Sequence, residues 1–379
     1  MMFDYETMRL IWWGFLGVLL IGFAITGGFD LGVAILLPFL GKNDTERRVI
    51  INSIGATWEG NQVWFITAGA SLFAAWPVAY SVAFSGFYFA LLLTLFALFM
   101  RPIGFDYRSK LPSQKWRNNW DIALFVGGFV PALIFGVAFG NLLKGVPFYF
   151  DNDMRIFYTG SFWDLLNPFA LAAGLVSLSM IVMHGAVFLQ IKTTGDINRR
   201  CKKVVTIFAI ITLAIFALAG IWIANIDGYQ ISSEVLPNAP SNPLAKIVNK
   251  ETGLWLANYA HYPVLWAVPG LAFCAGALTM ALSTIRRPGL AFITSSLTLA
   301  AVILTAGVSM FPFLIPSSSA INSSLTVWDA SSSFGTLKIM FWVTVILLPI
   351  VITYTTWVFR VLRGKITVEH IHQNDHTAY

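Results

Sequence analysis

Uninterrupted apolar runs of roughly 20 residues recur along the chain, and they constrain it more than any motif, because that length of α-helix is what crosses the hydrocarbon of a bilayer. Nine such runs are expected as spanning helices: 10–38, 52–75, 78–102, 121–143, 164–191, 204–226, 262–285, 289–315 and 337–361. Only the corner Ala75-Trp76-Pro77 separates the second from the third. With 57% of 379 residues apolar and 11% charged, and a mean hydropathy of +0.73, a string of soluble domains is excluded. The expected fold class is an all-α integral membrane protein, a single polytopic domain over 1–379. The 14 Trp and 32 Phe suit lipid-facing helices and interfacial belts, and would also suit a hydrophobic cofactor.

Placement of positive charge orients the helices. Eighteen of the 24 Lys and Arg fall in the connections after the first, third, fifth, seventh and ninth runs, among them Arg47, Arg48, Arg108, Arg117, Arg199, Arg200 and Arg363. The opposite side holds Arg9, Lys144, Arg155, Lys246, Lys250 and Lys338. By the positive-inside rule the N-terminus is periplasmic and the C-terminus cytoplasmic, which makes 226–261 an external loop and 362–379 a cytoplasmic tail. An odd number of spans agrees with that bias. The opening MMFDYETMRL carries acids and no basic n-region, so the first run is expected to be a retained helix rather than a removed signal. Prolines 237, 240 and 243 make the external loop irregular; it is either a plain linker or a lid or partner contact. The segment 145–163 is expected at the interface, and 305–318, with two prolines, as a re-entrant or interfacial element.

Metal and redox sites are poorly supported. Cys201 and Cys274 lack any metal or disulfide spacing. His370, His372 and His376 cluster in a polar tail, where solvation is the ordinary outcome. His184 is the one histidine deep in an apolar run; Met180 and Met183 share its helix and cannot bracket one haem with it, so this chain alone is not expected to hold haem.

Two carboxylates stand inside spans, where a charge costs several kcal/mol unless paired, hydrated or neutralised. Asp30 lies in TGGFDLG beside small residues that permit a close helix contact; it is either functional or a satisfied packing residue. Glu59 lies in TWEGNQVW with Thr57, Trp58, Asn61, Gln62 and Trp64 around it. That polarity fits a hydrated path on which Glu59 takes and passes protons, or a helix-packing hydrogen-bond network. Arg101, expected to close the third span, either snorkels to the headgroups or neutralises an inner carboxylate. No phosphate-binding glycine loop, HExxH or nucleophile elbow occurs.

The motifs IWW (11–13), GGFDLGV (27–33), KNDTERRVIINSI (42–54), WEGNQVW (58–64), LFAAWPVAYSVAFSGFY (72–88), RPIGFDYRSK (101–110), GVAFGNLLKGVPF (136–148), IDGY (226–229), SNPL (241–244) and MFPFLIPSS followed by SLTVWDASSS run in order through nearly the whole chain. As a set they resemble subunit II of the bacterial cytochrome bd-type quinol oxidases. The resemblance implies two four-helix bundles plus one extra helix in the bacterial inner membrane. It also implies a heterodimer with a haem-bearing subunit I, and in some members a very small third subunit. Haem b and haem d are then expected in subunit I and none in this chain, with no metal site of its own and no nucleic-acid partner. A quinone held here with a structural role is known in the family, and Trp58 and Trp64 are candidates for quinone or partner contact.

The implied function is support of subunit I during proton-motive quinol oxidation and oxygen reduction, with part of a cytoplasmic proton path; no catalytic residue is assigned to this chain. Candidates for that path are Glu59, Asp30, Asn61, Thr57 and Arg101. The alternatives are a purely structural assembly subunit and a secondary transporter, which would call for inverted repeats that are not detected. The chain departs from the family pattern in three places: Gly27 stands where many relatives carry an acid, Glu59 where some carry aspartate, and Thr57 where some carry histidine.

Overall fold

The computed structural model describes residues 3–373. Its centre is α1 (Tyr5–Leu40), capped by Asp4, whose Oδ1 accepts from the Thr7 N–H at 2.9 Å. Every residue from Gly27 to Leu37 is buried, as expected of a helix that is apolar all round and has to be surrounded rather than laid on a surface.

Along the chain follow α2 (Asp44–Ile54), α3 (Trp58–Asn61), α4 (Val63–Ala75), α5 (Pro77–Gly86), α6 (Tyr88–Tyr107), α7 (Gln114–Lys144), β1 (Phe148–Phe150), β2 (Ile156–Tyr158), α8 (Pro168–Lys192), α9 (Gly195–Ile223), β3 (Asp227–Ile231) and β4 (Val248–Thr252). Then come α10 (Ala257–His261), α11 (Ala267–Thr284), α12 (Pro288–Met310), β5 (Phe313–Ile315), β6 (Leu325–Thr326), α13 (Phe334–Val361) and α14 (Val368–Gln373). Helices α1, α4, α6 and α7 form one group of four and α8, α9, α11 and α12 the other, with α13 beside α1 as the extra helix. Among the described residues, eight helices are long and apolar enough to cross a membrane.

The stretch 52–75 is not one helix. The chain turns at Gly55-Ala56-Thr57 and again at Gln62, giving α2, α3 and α4. Gly55 and Gly60 weaken the helix there. The Gln62 N–H reaches only three residues back, to the Glu59 carbonyl at 3.2 Å. α6 in turn continues through Pro102 to Tyr107, so Arg101 lies inside the helix and not at its end.

The two groups meet where α1 crosses α8. A Cβ on Gly32 would lie 2.3 Å from the Ile181 carbonyl oxygen, and one on Gly185 2.6 Å from the Gly32 backbone. Glycine is required on both sides of this contact.

The end of the molecule at the start of α1 is covered by three two-stranded antiparallel ribbons, β1–β2, β3–β4 and β5–β6. The interfacial element expected at 305–318 is the end of α12 followed by β5, which pairs with β6. Arg9 is fully buried here; its guanidinium donates to Ser331 Oγ (2.8 Å), Ser241 Oγ (3.0 Å) and the carbonyls of Ala239 (3.1 Å) and Pro237. Lys246 pairs with Asp329 at 2.9 Å. Burial pushes the Asp329 carboxyl above the usual carboxylate range and the Lys246 ammonium below its own, each held back by the other's charge. The 226–261 segment is thereby fastened to the start of α1 and to the 323–333 segment.

At the far end, Asp121 pairs with Arg108 (2.5 Å) and Arg47 (2.8 Å), Asp44 with Arg108 (3.0 Å) and Arg117 (2.6 Å), and Glu46 with Arg200 (2.6 Å). Arg200 also donates to the Leu40 carbonyl at the end of α1. The chain beyond α13 returns beneath α8, the Ile366 N–H donating to the Lys192 carbonyl at 2.8 Å, and Ile371 is buried. His376 lies outside the described residues.

Gly32→Val is expected to prevent assembly of the two helix groups, at a cost of roughly 3 kcal/mol or more. Gly14→Ala, where nothing stands within 4 Å, is expected to be neutral. The yield and melting temperature of the detergent-extracted complex measure both.

Candidate functional site

Asp30 and the α3 turn form one polar centre inside the first helix group. Asp30 is fully buried. Asn61, the last residue of α3, donates from Nδ2 to Asp30 Oδ2 at 2.8 Å and to the Thr26 carbonyl at 3.2 Å. The broken helix makes this contact: the turn at Thr57 brings the α3 residue against α1. Asp30 Oδ1 has no hydrogen-bond partner among the described residues, and neither does the buried Gln62 Nε2.

Arg101 enters from α6 and is 1% exposed. It does not snorkel. Its stem lies on Gly127, where a Cβ would come within 2.7 Å of Arg101 Cγ, and its guanidinium carbon is 5.3 Å from the Trp58 ring centroid. Asp30 and Arg101 act on each other electrostatically, although they make no direct ion pair within 4 Å. Nε, Nη1 and Nη2 of Arg101 have no hydrogen-bond partner among the described residues.

Glu59 is two residues before Asn61, about 200° around a helix, and is correspondingly exposed while Asn61 is buried. Val63 and Ile66, 47% and 66% exposed, continue its face as apolar surface. Since Asn61 meets α1 at Thr26, near the middle of the apolar run 10–38, this face lies at bilayer depth. Thr57 is half-buried and donates from Oγ1 to the Ile54 carbonyl at 3.3 Å.

Both candidate tryptophans turn toward this chain's own core. Trp58 stacks on Phe105 at 5.2 Å and 20°, and Trp64 packs on α1, where a Cβ on Gly22 would meet its ring at 2.6 Å. His184 is fully buried, its Nδ1 2.7 Å from Ser295 Oγ and its Nε2 2.9 Å from the Ile25 carbonyl oxygen. Both ring nitrogens are therefore engaged by protein.

Asp121 was not singled out in the sequence, yet it is 1% exposed and holds two arginines. An acid directly before the apolar run of α7 is the local sign of it.

A cavity of about 520 Å³ lies between α7 and the second helix group, walled by Phe139, Phe169, Phe216, Phe273, Tyr259 and Trp266 among others. Trp58 and Trp64 do not line it.

The family model described as "Cytochrome bd terminal oxidase subunit II" matches residues 8–362. The chain belongs to this family. It is 54% identical over 379 residues to the cytochrome bd-I ubiquinol oxidase subunit 2 of Escherichia coli strain K12, covering 100% of both chains. To the probable cytochrome oxidase subunit 2 of Haemophilus influenzae it is 52% identical over 378 residues, again 100% of each. The structure of bd oxidase from Geobacillus thermodenitrificans shares the fold at a TM-score of 0.66, covering 94% of this chain and 98% of that one at 17% identity. Members of the cytochrome bd subunit II family are subunits of an oxidoreductase complex in which haem is a cofactor. Full-length membership sets aside the secondary transporter.

Asn61→Leu removes the hydrogen bond to Asp30 and is expected to destabilise the complex by about 1–3 kcal/mol, the cost of stranding a buried acceptor. A drop in its melting temperature, absent in Ile210→Leu on the exposed side of α9, is the measurement.

Proposed function

We propose that this chain is the second subunit of a respiratory quinol:O2 oxidoreductase of the bacterial inner membrane, and that it does two things for a haem-bearing subunit I. It supports the partner's fold, and it supplies part of a cytoplasmic proton path to the site where oxygen is reduced. Ubiquinol is the donor that the E. coli relative's name suggests. The many basic groups at the Leu40 end of α1 support a cytoplasmic placement for that end, with the ribbon-covered end periplasmic.

The position of Glu59 carries the reading. A carboxylate facing lipid at this depth would cost about 2.5–3.5 kcal/mol, so we place the Glu59 face against subunit I, where the group can be hydrated and can exchange protons. Asn61 links that turn to Asp30. Buried polar atoms are nearly always satisfied by protein or ordered water, so we place water among Asp30 Oδ1, Gln62 Nε2 and the Arg101 guanidinium. Thr57 stands at the cytoplasmic approach to this turn. Trp58 and Trp64 then act as walls of the centre.

Haem b and haem d belong to subunit I in this reading. A quinone with a structural role fits the 520 Å³ cavity, which is within the usual size of ligand sites. Lipid and a very small third subunit complete the assembly.

Glu59→Gln is expected to slow oxygen reduction roughly 100-fold or more, the scale of a lost proton-transfer group, with the haem spectrum and subunit ratio unchanged. Glu59→Asp retains most of the rate. Unchanged turnover per haem in Glu59→Gln, with a lower yield of complex, would make this a purely structural subunit.

A further inference from the structure

The deep histidine is used neither by haem nor by the path just described, yet it touches the turn of α1 that carries Asp30. Ile25 and Thr26 are consecutive, and their carbonyls, besides the Phe29 and Asp30 N–H groups that an α-helix brings to them, each face a side-chain donor from outside α1. Asn61 Nδ2 lies 3.2 Å from the Thr26 oxygen, and His184 Nε2 lies 2.9 Å from the Ile25 oxygen. One grip comes from α3 in the first helix group and the other from α8 in the second.

The protons follow from the partners. A carbonyl only accepts, so Nε2 carries the hydrogen. Nδ1 faces Ser295 Oγ at 2.7 Å, and that hydroxyl is also 2.9 Å from the Phe292 carbonyl. A neutral ring is satisfied when Ser295 donates to Nδ1. The ring is held flat on Phe292, at 4.6 Å and 26°, and next to it the Gly32–Gly185 crossing fixes the separation of α1 and α8.

We propose that His184 is a positioning residue for the proton path: by holding the Ile25 carbonyl from the second helix group, it sets the 26–30 turn of α1 so that Asp30 meets Asn61. It neither carries a proton nor binds a cofactor. This rests on the proton-path reading for its effect on turnover, but the geometry it predicts at Asp30 does not.

Glutamine at position 184 keeps a donor for the Ile25 carbonyl and an acceptor for Ser295 but cannot relay a proton, whereas leucine keeps neither. In the purified complex, His184→Gln is expected to retain at least half of the oxygen-reduction rate with an unaltered pH profile. His184→Leu is expected to lose about fivefold, equivalent to about 1 kcal/mol, with haem content intact, and to lose no more when combined with Asn61→Ala, because both act through one turn. The infrared band of the Asp30 carboxyl group, identified by its loss in Asp30→Asn, is expected to shift in His184→Leu and stay in place in His184→Gln. Should His184→Leu fail to assemble, Ser295→Ala, which frees the ring at Nδ1, is expected to shift the same band.

Equal impairment of the Gln and Leu variants would overturn the proposal, as would a fully active Leu variant or an Asp30 band indifferent to all three substitutions. If Glu59→Gln leaves turnover unchanged while the band still responds to His184→Leu, the proton path fails and the clamp stands.

Discussion

An ionisable side chain in the middle of an apolar helix bundle is tolerated only where its surroundings answer it or keep it neutral, and Asp30 is that side chain here. The structure answers it with an amide from α3 and, at longer range, a guanidinium from α6. Both demands shape the chain. The first requires that the helix expected over 52–75 be broken, since only the turns at Thr57 and Gln62 bring Asn61 onto α1. The second requires Gly127, because any side chain there would collide with the Arg101 stem. Two residues apart within α3, Glu59 and Asn61 are separated by about half a helical circumference, so that one short helix presents a carboxylate outward and an amide inward.

Apolar packing holds this centre in place. Gly32 and Gly185 allow α1 and α8 to touch backbone to backbone, and the entirely buried stretch from Gly27 to Leu37 leaves α1 little freedom to rotate. The two ends are closed by charge: Arg9 and the Lys246–Asp329 pair fasten the ribbon layer, and the Arg47–Asp121–Arg108–Asp44 network ties α2 and α7 to the end of α6. By contrast, α13 has only Leu337 buried, leaving a long apolar surface for other chains or lipid.

Much of this was legible in the sequence. Run length gave the helical membrane class, and the ordered motifs gave the family, which the full-length match bears out. Depth within the fold was harder to read. Arg101 stands before a proline and looks like a helix end, but Pro102 continues α6 for another turn and more, so the arginine is buried. Asp121 and Asp44 look like ordinary loop-edge acids until α2 meets α6 and α7 through residues 64 to 74 positions apart, a contact that no local pattern encodes. Likewise, TWEGNQVW lies inside the apolar run 52–75, and the break that lets Asn61 meet Asp30 on α1 shows only in the tertiary contact.

Asp30 and Arg101 are expected to be required because of each other. A double-mutant cycle on the melting temperature of the intact complex tests it most directly. Asp30→Asn and Arg101→Gln should each lower the melting temperature, and the double variant should be more stable than either single one. Additive losses in the double variant would contradict the account and reduce the two residues to independent packing positions.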